Sequence, residues 1–251
     1  MAAEAVDTMP EARSTAITTT ITTTIATITI AIVGAESTGK TTLAAALAAA
    51  LAAQTGCRVA WVPEQLREWC ERSGRTPQVH EQASILRAQH ERIDAAAGAH
   101  DIVVCDTTAL MTAVYSRIVF GDRSLDERAA RLHRRRMAAT LLTDIDLPWV
   151  ADGLQRDGPQ VQRPVDDALR ELMQKGCIDY AVVSGVGEAR LQHAMAAVAP
   201  SLLRLRAGSA DRPAKGLFTG LATPSPLEAN RAWACECCLP DQERALRRLR
   251  S

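Results

Sequence analysis

Val33-Gly34-Ala35-Glu36-Ser37-Thr38-Gly39-Lys40-Thr41-Thr42 is the stretch on which the reading of this chain turns. From Gly34 to Thr41 it fits G-x-x-x-x-G-K-[ST] at every fixed position, the pattern of a phosphate-binding loop. Upstream, Ile28-Thr29-Ile30-Ala31-Ile32-Val33 is a β-branched apolar run that predicts a buried strand. Downstream, Thr42-Leu43-Ala44-Ala45-Ala46-Leu47 predicts a helix. A strand turning through glycines into a helix N-terminus aims successive backbone N–H groups at phosphate oxygens. The loop residues Gly34, Glu36, Ser37, Thr38, Gly39, Lys40, Thr41 and Thr42 are therefore candidates to hold the phosphates of ATP. Lys40 would reach the β- and γ-phosphates, and the Thr41 hydroxyl is a candidate ligand for Mg²⁺.

Working outward, four further apolar segments read as strands, at 58–62, 102–105, about 141–147 and 180–183, with helical stretches between them. The helices are expected at 64–73, about 77–97, 107–120, 125–142, about 165–175 and 187–198. Strands without polar alternation, separated by helices, indicate a mostly parallel sheet covered on both faces. The fold class is α/β, a P-loop NTPase built as a three-layer α/β/α sandwich of about five strands. Residues 1–24 form a Thr/Ile-rich leader read as disordered, 25–206 the folded domain, 207–230 a Gly/Pro-rich linker, and 231–251 a basic tail containing Cys235, Cys237 and Cys238.

Composition narrows the class. In 251 residues the formal net charge is zero, which argues against a general nucleic-acid or membrane-surface role. No run reaches the roughly 18 apolar residues of a membrane span, and the N-terminus lacks a secretory pattern. The seven cysteines lie mostly in apolar segments and read as free thiols of a reducing cytoplasm. Cys235 and Cys238 make one C-x₂-C pair, but a four-ligand zinc site would need ligands from elsewhere. His80, His90, His100 and His133 have no ligand-like spacing and read as surface residues; Arg131, Arg134, Arg135 and Arg136 read as a solvated helix face.

Asp101-Ile102-Val103-Val104-Cys105-Asp106 is a hydrophobic strand ending in an acid, the Walker-B pattern, making Asp106 a second candidate for Mg²⁺ and for catalysis. Asp106 is followed by Thr107 rather than by a water-activating acid, and no Asn-Lys-x-Asp guanine-reading motif occurs. Both observations favour phosphoryl transfer to a small acceptor over a mechanical ATPase or a GTPase. Glu64 ends the second strand, at the lip where ligands bind in open α/β sheets, and can accept or orient an acceptor proton; it is equally well placed as a helix-terminal acid. Arg67, one turn on, can pair with Glu64 or contact phosphate. The stretch Leu147–Gly158 follows the fourth strand, where a lid would exclude water. Within it Arg156 is a candidate charge clamp, Trp149 offers a flat π-face or simple packing, and Asp152 can bond ribose hydroxyls or a turn.

The motifs at 33–43, Val62-Pro63-Glu64 with Arg67-Glu68, Asp106-Thr107, and Leu147-Pro148-Trp149-Val150-Ala151-Asp152-Gly153-Leu154 with Arg156 together resemble the ribosylnicotinamide kinase domain of NadR-like proteins. These are P-loop kinases grouped by sequence with small AAA-type ATPases, and the resemblance spans about 28–199. It implies ATP-dependent phosphorylation of nicotinamide riboside to the mononucleotide, with Trp149 stacked on the nicotinamide ring. Only about 33 residues precede Gly34, so the adenylyltransferase and helix-turn-helix activities of the longer family members are not expected. A kinase for another nucleoside, and an ATP-switched binding module working through its tail, are the competing readings.

Overall fold

The structure, a computed structural model, describes residues 27–150 and 158–208, with side chains as far as residue 203. The expected leader and tail lie outside the described residues, as does all but the start of the expected linker. Among the described residues five strands form one sheet: β1 (Ile28–Val33), β2 (Val59–Val62), β3 (Ile102–Asp106), β4 (Ala139–Thr143) and β5 (Ala181–Val183). Their order is β2-β3-β1-β4-β5, and every pairing is parallel. Among the described residues seven α-helices lie between and after them: α1 (Lys40–Thr55), α2 (Gln65–Ser73), α3 (Val79–Ala99), α4 (Ala109–Phe120), α5 (Asp126–Arg136), α6 (Gln162–Lys175) and α7 (Glu188–Gly208).

Both faces of the sheet are covered, as uninterrupted apolar strands require. On one face Ile30 and Ile32 of β1 and Val104 of β3 pack on Leu43, Leu47 and Leu51 of α1, together with Ala194 and Val198 of α7. On the other, Val33 and Leu142 meet Leu110, Met111 and Val114 of α4 and Leu169 and Met173 of α6. Nearer the β2 edge, Val103 and Cys105 meet Ile93 and Ala97 of α3. The period of two along β1 and β3 thus sorts side chains into two apolar layers. The three-layer sandwich expected from the strand pattern is the observed fold.

Local chemistry explains the helix ends. α3 opens on a capping box between Gln78 and Glu81, and the Thr108 hydroxyl caps α4 by accepting from the Leu110 N–H at 3.3 Å. α5 carries Asp126 and Glu127 in its first turn and Arg134, Arg135 and Arg136 in its last, matching the helix dipole at both ends.

Several boundaries depart from the sequence reading. The helix expected over 125–142 ends at Arg136, and β4 runs over Ala139–Thr143 rather than 141–147. Pairing with β1, Ile30 to Ala139 through Val33 to Leu142, recruits the residues following α5 into the sheet despite their helical propensity. α7 continues through Pro200 instead of stopping near Val198; its apolar contacts with β1, β4 and β5 offset the missing N–H. His133, expected at the surface, is only 2% exposed. It bridges Thr108 Oγ1 at 3.1 Å and Thr140 Oγ1 at 2.8 Å, tying α5 to the ends of β3 and β4.

Candidate active site

The adjacency of β1 and β3 sets the geometry of the site. Ile32 is paired with Asp106, so the strand acid stands beside the phosphate loop. The loop itself is built by backbone conformations that exclude most side chains. Gly34 has φ +152°, and a Cβ there would lie 2.1 Å from Thr143 Oγ1. Ser37 and Gly39 are left-handed at φ +58° and +75°, and α1 begins directly after Gly39 with no side-chain cap. Its first N–H groups are therefore presented by the loop rather than consumed by a capping residue.

Interactions inside the loop fix its shape. Lys40 Nζ and the Thr38 hydroxyl each donate to the Ala35 carbonyl at 2.7 Å. Thr38 Oγ1 also shares a 2.7 Å hydrogen bond with Thr143 Oγ1 at the end of β4. Three further tethers come from outside the motif. Ser37 Oγ accepts from the Val150 N–H at 2.8 Å and donates to its carbonyl at 3.1 Å. Gln162 Nε2, at the start of α6, donates to the Glu36 carbonyl at 2.7 Å. Arg190 of α7 donates to the Thr38 carbonyl.

Asp106 is 2% exposed, with its carboxyl hydrogen-bonded to the Thr41 hydroxyl. Burial pushes its pKa above the ordinary carboxylate range, against the Thr41 hydrogen bond and the charges of Lys40 and Arg67. Its Oδ1 is buried without a hydrogen-bond partner among the described residues. A desolvated carboxylate oxygen beside a hydroxyl is a hard-oxygen pair of the kind Mg²⁺ takes when phosphates complete its shell. The two residues fit the ion. Thr107, next along, holds φ +70° while its N–H stays bonded to the Ile32 carbonyl at 3.0 Å, so the chain turns sharply away from the loop.

Glu64 and Arg67 lie at the C-terminal end of β2 and the start of α2, with Arg67 Nε 3.9 Å from Glu64 Oε2. Arg67 is also close enough to act electrostatically on Asp106. Trp149 is half-buried, and its indole Nε1 is enclosed without a hydrogen-bond partner among the described residues. Asp152 and Arg156 lie outside the described residues, as do Cys235, Cys237 and Cys238. Among the described residues, Cys57, Cys70, Cys105 and Cys177 are free thiols.

Beside the loop opens a cavity of about 210 Å³ that the sequence did not disclose. Glu36 lies at its edge, and Leu66, Tyr115, Phe120 and Val165 supply an apolar and aromatic wall. Cys70 lines it too, its thiol pushed up to about 11 chiefly by burial and so unreactive at neutral pH. These residues come from α2, α4 and α6, far apart in the chain. None of the arginines Arg131, Arg134, Arg135 and Arg136 bonds to the loop. Arg136 pairs with Asp94 at 3.0 Å and Arg134 with the Gly176 carbonyl at 2.6 Å.

Comparison with known proteins agrees with this architecture. The sequence profile of a family described as an AAA domain matches residues 29–190. No curated protein matches the chain. Two solved structures of NadR protein share its fold. One, in complex with NAD and AMP-PNP, superposes on 69% of the chain with a TM-score of 0.54 and 20% identity. The other, in complex with NR, superposes on 69% with a TM-score of 0.57 and 19% identity. The chain spans about half the length of these two structures, 49% and 50%. No helix among the described residues is long and apolar enough to cross a membrane.

Proposed function

The chain belongs to the AAA-domain family, and we propose that it works there as an ATP-dependent kinase of a small nucleoside, with nicotinamide riboside as the acceptor. One observation carries the reading: the apolar and aromatic cavity beside the phosphate loop, with Glu36 at its edge and Tyr115 and Phe120 in its wall. A motor or switch needs no such seat next to its nucleotide, whereas a phosphotransferase must hold an acceptor there. An acidic, aromatic pocket suits a flat cationic ring, and the motifs around Glu64, Asp106 and Trp149 point to the same substrate.

The chain's residues divide the work by position. The amides at the start of α1 and Lys40 hold the triphosphate, with Gly34 and Gly39 allowing the backbone to approach. Thr41 and Asp106 would hold Mg²⁺, which when bound neutralises charge on the β- and γ-phosphate oxygens. Asp106 is thereby occupied. Glu64, on the neighbouring strand end, is the carboxylate left to take the proton from the acceptor's 5′-hydroxyl. Arg67, 3.9 Å from Glu64 and within electrostatic reach of Asp106, can neutralise charge developing on the transferred group. In this reading Trp149 closes over the acceptor ring, Asp152 bonds its ribose, and Arg156 adds a second positive charge at the γ-phosphate. Little covalent work falls to the protein, because phosphoryl transfer depends on alignment and charge neutralisation. Such an enzyme acts in a cytoplasmic step of NAD synthesis.

The test is ADP release from Mg-ATP with and without nicotinamide riboside, with mass detection of the mononucleotide. Stimulated release with the product formed supports the reading. Stimulation by another nucleoside alone keeps the kinase and discards this acceptor. Silence with every nucleoside overturns the kinase.

A further inference from the structure

We propose that Arg190 and Gln162, two side chains outside every motif of the nucleotide site, are positioning residues that turn the amides of the phosphate loop towards the phosphates. The inference rests on the nucleotide-binding reading of the loop and extends it to residues on α6 and α7. In a trans peptide the carbonyl of one residue and the N–H of the next lie in one plane and point in opposite directions. A donor that holds a carbonyl on the outer side of a loop therefore fixes the following N–H on the inner side. The structure contains no cis peptide bond among the described residues, so the relation holds throughout the loop.

Three loop carbonyls are held in this way. Lys40 and Thr38 hold that of Ala35, which directs the Glu36 N–H; both belong to the motif itself. Gln162 Nε2 holds the carbonyl of Glu36 at 2.7 Å, which directs the Ser37 N–H. Arg190 holds the carbonyl of Thr38, which directs the Gly39 N–H. Ser37 and Gly39 are the two left-handed residues of the loop, and the peptides that enter them belong to no helix or strand ladder. The restraint comes from 126 and 152 residues away.

Arg190 is built for the task. It is 4% exposed, and its three nitrogens are each assigned. One nitrogen reaches Thr38, a second pairs with Asp146 Oδ1, and Nε donates to the Gly185 carbonyl at 2.7 Å. Asp146 Oδ2 in turn accepts from the Gly185 N–H at 2.5 Å, closing a ring that leaves the guanidinium one orientation. A Cβ on Gly39 would stand 3.6 Å from the same guanidinium, so its positive charge lies directly against the loop. Gln162 is likewise buried at the head of α6.

The measurement is calorimetric binding of pyrophosphate and of ATP by wild type, Arg190→Met, Arg190→Lys and Gln162→Met, on the full chain, with urea unfolding of each without ligand. Pyrophosphate reads the loop alone. We expect Arg190→Met to bind both ligands about tenfold more weakly or worse, and Gln162→Met to lose a smaller factor. Arg190→Lys recovers part of the loss, since an ammonium can hold one carbonyl but not three partners. The loss persists at temperatures where unfolding shows every variant folded, which a purely structural arginine would not produce. If Arg190→Met does not fold, Gln162→Met carries the test, since it removes one neutral hydrogen bond. Folded variants that bind pyrophosphate as tightly as wild type overturn the proposal. Failure of the kinase reading shows separately, as pyrophosphate binding by wild type without nucleoside-stimulated ADP release.

Discussion

Gly34 shows how little latitude single residues have in this site. With φ at +152° and Thr143 Oγ1 2.1 Å from the place of a Cβ, Gly34→Ala meets strain and collision together. We expect it to cost about 1–3 kcal/mol in urea unfolding and to abolish ATP binding. Adding Thr143→Ala should recover only part of this, because the Thr143 carbonyl remains 3.0 Å from the new methyl. Asp106→Asn keeps the shape but removes the charge, so kcat for ADP release should fall about 10²-fold or more while ATP binding measured without Mg²⁺ holds. The loop was readable in the sequence because its function dictates residue types at fixed spacing. So were Asp106, which closes β3, and Glu64, two residues past the end of β2. Thr143, Arg190 and Gln162 were not, since each meets the loop across more than 100 residues and no local pattern announces such a partner.

At the scale of elements, α5 is where sequence and structure part company and where a pH effect resides. The stretch 137–143 mixes Ala, Leu and Met with only two Thr, and its propensity continues the helix before it. Pairing with β1 is a tertiary matter, so the boundary could not be read locally. The same tertiary closure buries His133, whose pKa burial lowers from 6.5 to about 3. The unfolded chain therefore binds a proton that the folded chain refuses between those values. The His133 contribution is fully present above pH 6.5 and is lost as pH falls towards 3, with a limiting slope of about 1.4 kcal/mol per pH unit. Glu81 acts in the same direction but lower, over about 4.5 to 2, because Arg75 holds its carboxyl down. Asp106, raised by burial, acts in the opposite sense above its free value, so the histidine's share of the profile between pH 5 and 6.5 is read as the slope that His133→Gln removes in urea unfolding. An unchanged slope in the variant would show that His133 takes up its proton as readily in the fold as in the unfolded chain.

Taken whole, the molecule gathers its candidate chemistry at one edge of a parallel sheet, where β1, β2, β3 and β4 deliver Gly34, Glu64, Asp106 and Thr143. That gathering was legible from the alternation of strand and helix, which assigns the C-terminal strand ends to ligands. The cavity wall was not legible, because it is assembled from four helices, α2, α3, α4 and α6, whose arrangement only packing determines. At this scale the expected kinetic signature is sequential. Both substrates should be required before either product leaves, because the cavity adjoins the loop and Cys70, the thiol that lines it among the described residues, is kept protonated by burial. Initial-rate patterns that intersect rather than run parallel check it. The left-handed Gly39, which starts α1 without a capping side chain, has a practical consequence. A helix whose first amides are kept for a ligand makes the measured stability of the protein a property of its buffer. Phosphate, sulfate or pyrophosphate at a hundred times its dissociation constant should add about 2.7 kcal/mol to unfolding. A melting temperature recorded in phosphate will therefore exceed one recorded in a buffer without oxyanions, with no change in the chain at all.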